Sequence, residues 1–247
     1  MKKLLLPLLL TSHLSALVFI APVTIGDKPG FNTKIATSLE TKKGNTDKEN
    51  YKAVLRVAYD NNTSHVTWME LSGEYGEVNN EQDTGKAFGH LRHIHATPLQ
   101  HFNFELFAQL QEDEFKLIKN RSLAGAGLRY ELFSLLDNDK FYFGLGGFYE
   151  HVTYTSSDPN ESNARMNSYL AYSLNFGDKS RFSYTLYFQP KFSDFSDYAK
   201  SHAMELRLVV YEKLFLQLNL NYDVDSEPAI GVKEYDFTQT TSLVLEF

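Results

Sequence analysis

The sequence predicts an all-β protein: a transmembrane up-and-down antiparallel β-barrel of about twelve strands, preceded by an N-terminal signal peptide. Three observations predict it. The chain closes on YDFTQTTSLVLEF, in which Phe237, Thr241, Leu243, Leu245 and Phe247 share one parity and Asp236, Thr238, Thr240, Ser242 and Glu246 the other; a period of two is a strand with two unlike faces. The same alternation recurs from Phe31 onward through about twelve candidate strands, an even number as single-chain bacterial barrels require. Tight links (DNNT at 60–63, GDKS at 177–180, YEKL at 211–214) take turns with longer polar ones (KKGNTDKEN, GEVNNEQDTG, TSSDPNESN, DSEPAIGVKE), the asymmetry of short periplasmic turns and long extracellular loops rather than of a soluble sandwich.

Composition narrows the function classes. Net charge is −7 in 247 residues, yet 19 Phe and 15 Tyr stand against one Trp, a bias toward strand-forming aromatics. A barrel carries its apolar band on alternate residues, so average polarity hides it. Cys is absent, which excludes disulfides, thiolate metal sites and a Cys nucleophile. The acidic balance and the lack of a dense Lys/Arg stripe exclude nucleic acid as the expected partner.

In chain order, residues 1–26 (MKKLLLPLLLTSHLSALVFIAPVTIG) join Lys2 and Lys3 to an apolar stretch broken by Pro7, Ser12, His13 and Ser15. They read as a secretory signal peptide, with Thr24-x-Gly26 before Asp27 as the junction. An uncleaved anchor helix is the alternative, weakened by those polar interruptions. Residues 27–247 then form one outer-membrane barrel. Its clearest apolar faces are Tyr51 to Tyr59, Phe102 to Leu110, Met166 to Phe176, Phe182 to Phe192, His202 to Val210 and Leu214 to Val224, taken at alternate positions. Strands of roughly eleven residues at about 3.3 Å per residue, tilted by about 45°, reach on the order of 25 Å, the height of a bilayer's apolar band. The last strand is expected to zip to the first, leaving no edge unpaired in lipid. Leu243, Leu245 and Phe247 resemble the C-terminal signal read by the barrel assembly machinery.

The stretch KKGNTDKENYKAVLRVAYDNN, centred on Gly44, Asn45, Thr46, Asp47 and Tyr51, resembles the opening of domain-of-unknown-function family 481. TGKAFGHLRH (84–93), SLAGAGLRYEL (122–132) and GVKEYDFTQTTSLVLEF (231–247) extend the likeness over nearly all of the mature chain. The family is described as salt-induced outer-membrane proteins and includes YdiY-like proteins. The resemblance implies a location in the outer membrane of a Gram-negative bacterium, and no catalytic residues to carry over.

With the polar parity inward, the lumen collects a ladder of Arg56, Glu70, Arg92, Glu105, Arg129, Glu131, Arg165, Glu205, Arg207 and Asp223. Interleaved signs suit cross-strand ion pairs that brace an interior, whereas a selective pore concentrates one sign at its constriction. A mostly occluded lumen or a narrow passage is therefore expected. His93 and His95 are two ligands where a metal site needs more, and an inward Arg92 turns both outward, so no metal and no cofactor are expected. Gly125, Gly127, Gly144, Gly146 and Gly147 lack the strand-to-helix context of a nucleotide loop; they leave room for large side chains such as Phe148 and Tyr169 or permit bending. The expected function is non-enzymatic: a structural barrel or a narrow conduit for ions or small solutes, with outer-membrane lipids and lipopolysaccharide as its surroundings. The alternative is a lipid hydrolase working from the outer wall, for which His151, beside Ser156, Ser157 and Asp158, is the nearest candidate.

Overall fold

The computed structural model describes residues 23–245 except 43–47, 80, 134, 137, 178 and 213. The leader to residue 22, the motif Gly44, Asn45, Thr46 and Asp47, and Phe247 lie outside the described residues. Twelve strands follow in order: β1 (Gly30–Lys42), β2 (Lys48–Asp60), β3 (His65–Val78), β4 (Glu81–Ala96), β5 (Phe102–Asp113), β6 (Ile118–Glu131), β7 (Asp139–Tyr154), β8 (Glu161–Phe176), β9 (Ser180–Pro190), β10 (Tyr198–Tyr211), β11 (Leu214–Asp225) and β12 (Tyr235–Leu245). Each pairs antiparallel with its chain neighbours, giving one sheet in the order β1 to β12. Between β5 and β6, Glu114–Lys116 forms a single 3-10 turn capped by the Asp113 carboxylate.

The pleat sorts the faces. On β5, Glu105, Phe107, Gln109, Gln111 and Asp113 are buried while Phe104, Leu106, Ala108 and Leu110 are exposed. Leu110 is 60 % exposed and Glu105 1 %, the reverse of what water around a soluble sheet would select. The sheet curls so that its polar faces meet: Lys116 Nζ lies 2.7 Å from Asp236 Oδ2 on β12, and the Ile230 amide donates to the Asp158 carboxylate at 3.1 Å. The result is a barrel-like meander with a buried cluster of Tyr142, Tyr169 and Tyr187 inside it.

Two expectations differ from what is found. Among the described residues no ladder joins β12 to β1, which stand as the ends of the sheet order. The three tight links hold at 61–64, 177–179 and 212–213, all on the rim where β1 begins, but the loop asymmetry is weaker than the composition suggests. β3 and β4 run on until only 79–80 separate them, whereas 132–138 divide β6 from β7 on the rim of tight turns. Strands are accordingly long, with 16 residues in β4, β7 and β8. A hairpin that continues past the apolar wall is polar on both faces, so its sequence resembles a loop while its backbone stays paired.

Candidate functional site in the charged interior and on the outer wall

The inner face holds every member of the charge ladder, and the strand register decides which of them meet. Glu105 pairs in register with Gly127, and Arg92 with Phe107. Arg129 and Arg92 therefore reach Glu105 diagonally, a separation that long side chains span. Arg129 Nη2 lies 2.7 Å from Glu105 Oε1 and Arg92 Nη1 3.6 Å from Oε2. The Tyr169 hydroxyl of β8 donates to Glu105 Oε2 at 2.8 Å and accepts from Arg129 Nε at 2.8 Å. The two guanidinium groups also face aromatic rings: Arg129 over Tyr142 at 4.9 Å and Arg92 over Phe107 at 5.3 Å. Tyr169 fits because residue 144 is glycine; a Cβ there would run into its ring.

A second knot lies nearer the other rim. Glu150 takes Arg121 at 2.7 Å and, on its other oxygen, Arg165; Arg165 also holds Asp197 at 2.8 Å. Just past the end of β9, burial opposes the Lys191 ammonium, but hydrogen bonds to Asp197 and Glu161 outweigh it and raise its pKa. On β2 and β3, Arg56 faces Glu70 at 3.8 Å and covers the Trp68 ring at 4.4 Å. Glu131 pairs with Lys140 at 3.1 Å at the rim. Arg207 stacks over Phe215 at 3.8 Å, Asp223 is buried, and Glu205 shares the inner face of β10 with Arg207. Between the knots, His90, Arg92, Phe107 and Tyr187 line a cavity of about 30 Å³, room for little more than a water molecule. A cavity of about 70 Å³ opens near the far rim.

Arg121, Lys86, Asp113 and Asp197 belong to these networks (Lys86 to Asp113, 3.4 Å) and were not in the ladder read from the sequence. Arg121 shares Arg129's parity eight residues upstream, so alternation along IKNRSLAGAGLRYE carried the signal. Asp197 lies between strands, where parity has no meaning.

The outer wall carries His65, His93, His95 and His151, whereas His90 is buried on the inner face. His93 and His95 stand outward near the rim where β1 begins, joined by His65, with ring centroids 5.5 to 6.1 Å apart. His93 Nδ1 is bonded to Thr67 Oγ1 at 2.7 Å, and among the described residues no three such groups converge to hold a metal ion. His151 pairs in register with Ser122 on one side and Ser162 on the other. Its Nδ1 lies 2.8 Å from Ser162 Oγ. Ser156 and Asp158 bond to each other and form the loop instead, so the serine beside His151 is Ser162. Next to His151, small residues (Gly89, Ala108, Ala124) recess the wall into an apolar groove of about 620 Å³ flanked by Leu71, Leu91, Leu110 and Tyr149.

A family model described as "Protein of unknown function, DUF481" matches residues 35–247. No curated protein matches the chain.

Proposed function

The chain belongs to the DUF481 family across residues 35–247, and from that membership and the inside-out polarity of its sheet we propose an outer-membrane β-barrel without enzymatic activity. It serves as a structural element or as a narrow conduit for ions and small solutes, of the salt-induced type. The carrying observation is the contrast between faces: Leu71, Leu91, Leu106, Leu110, Leu128 and Leu145 are exposed outside, while Glu105, Arg92 and Arg129 are buried inside. Contiguous exposed apolar surface on this scale supports a wall that faces lipid. On this reading a signal peptide exports the chain, both termini face the periplasm, lipid and lipopolysaccharide surround the wall, and the assembly machinery reads the ending at Leu243, Leu245 and Phe247. The balanced charges and small cavities support a nearly occluded lumen.

Single-channel recording of the refolded protein tests the conduit. Small discrete steps are expected, with ion preference altered in Glu105→Gln or Arg129→Gln; silence over many insertions of a barrel that migrates heat-modifiably on gels removes the conduit and leaves the structural role.

The His151–Ser162 hydrogen bond beside an apolar groove favours a second reading, a hydrolase of lipid esters with Ser162 as nucleophile and His151 as base. Among the described residues no third group orients the imidazole. Release of fatty acid from phospholipid vesicles, abolished in Ser162→Ala and His151→Ala, would establish it; unchanged lipids would end it.

A further inference from the structure

We propose that residues 23–28 form a plug seated in the mouth of the barrel on the rim where β1 begins, and that the exported chain retains them, its signal peptide being cut upstream of Val23. The proposal rests on the barrel reading above.

Before β1 the chain turns inward instead of running along the rim. Gly26 takes φ +88°, a left-handed conformation open to glycine, and the Asp27 amide closes the turn on the Thr24 carbonyl at 3.3 Å. Three anchors hold the segment. Arg129 Nη1 donates to the Val23 carbonyl at 2.7 Å. The Thr24 and Tyr142 hydroxyls are 2.9 Å apart. The Asp60 carboxylate accepts the Gly26 amide at 2.8 and 3.1 Å and the Lys28 amide at 3.3 Å. Arg129, Tyr142 and Asp60 are all buried, and they stand on β6, β7 and β2. Since β2 is four places from β6 in the sheet order, a segment bonded to both spans the mouth rather than one edge of it. Its first anchor is the arginine that ties β6 to Glu105 and Tyr169, so the plug is fastened to the cross-barrel knot behind it.

The same contacts bear on processing. Cleavage after Gly26, where the composition of the leader places it, would remove Val23 and Thr24. Arg129 would lose the acceptor of one guanidinium nitrogen and Tyr142 its hydroxyl partner, and buried polar groups in native proteins are rarely left so. Cleavage upstream of Val23 keeps both.

The absence of native Cys makes single-cysteine labelling clean. Ser183 is fully buried on the inner face of β9, three residues from the plugged rim, and Ser201 is buried near the opposite rim. In refolded barrels, deleting 23–28 is expected to speed labelling of Ser183→Cys by a water-soluble maleimide by about tenfold or more, with Ser201→Cys changed little, as for local opening of a protected site. Equal Ser183→Cys rates with and without the segment overturn the proposal. Should the deletion fail to fold, Thr24→Cys in the full chain decides: labelling about tenfold slower than at Ser196→Cys in the exposed stretch 192–196 supports a seated plug, and equal rates overturn it. The intact mass of the exported protein tests retention; a chain beginning after Val23 refutes it. Conductance of the same samples separates the two readings, because faster labelling in a silent barrel keeps the plug and removes only the conduit.

Discussion

Glu105 concentrates the interior in one residue. It is 1 % exposed, accepts a hydrogen bond from the Tyr169 hydroxyl and is the shared counter-ion of Arg92 and Arg129. Removing its charge leaves two buried guanidinium groups short of their counter-ion, a loss of about 3–5 kcal/mol when one member of a buried pair is deleted. Glu105→Gln is expected to lower unfolding stability in detergent by that amount. Tyr169→Phe, which removes a hydrogen-bonded hydroxyl and no charge, is expected to cost about 1–3 kcal/mol. Urea titration of both variants checks the order; a Glu105→Gln cost no larger than that of Tyr169→Phe would show that the charge is not what holds the knot. Alternation alone put Glu105, Arg92 and Arg129 on one face. That they meet depends on Glu105 lying opposite Gly127 rather than Arg129, which no single strand encodes.

At the scale of elements, each strand is a boundary between an apolar wall and a charged interior. Leu106 points outward from the middle of β5 and is 46 % exposed, and its neighbour Phe107 points inward at 8 %. Leu106→Arg should therefore cost about 2–4 kcal/mol if the wall faces the bilayer midplane. Folding yield into lipid vesicles measures it, and a variant that inserts as well as the parent would argue against a lipid-facing wall. The faces of β2 to β11 were legible in the sequence because the pleat is local. Strand ends were less so: GEVNNEQDTG reads as a loop by composition, yet its flanks are paired as the ends of β3 and β4, since polar residues on both faces are compatible with a hairpin standing in water. Likewise His151 was legible as an outward residue, while its partner Ser162 came from the β7–β8 register and not from the nearby SSD sequence.

At the scale of the whole molecule, closure decides whether the barrel can stand in lipid. The described ladders stop at β1 and β12, and an unpaired edge within hydrocarbon costs several kcal/mol for each exposed backbone group. If the barrel spans a membrane, these edges pair there. β11 protects only alternate amides of β12, so hydrogen exchange in micelles is expected to show both alternate sets of β12 amides slow. A fast outer set would mean an open sheet and would sink the membrane-spanning reading.

By itself the sequence determined that the chain is all-β, that it has about twelve strands, and which side of β2 to β11 is apolar, because a two-residue period is written within each strand. Only the tertiary structure decided which charges neutralise one another, that Arg121 and Asp197 join Arg165 and Glu150, that Ser162 lies beside His151, and that residues 23–28 turn into the mouth. Those facts depend on the register between strands and on the curl that brings β8 within reach of β5 and β6 across the interior. Both are set by packing over the whole sheet, and alternation along any one strand carries no record of them.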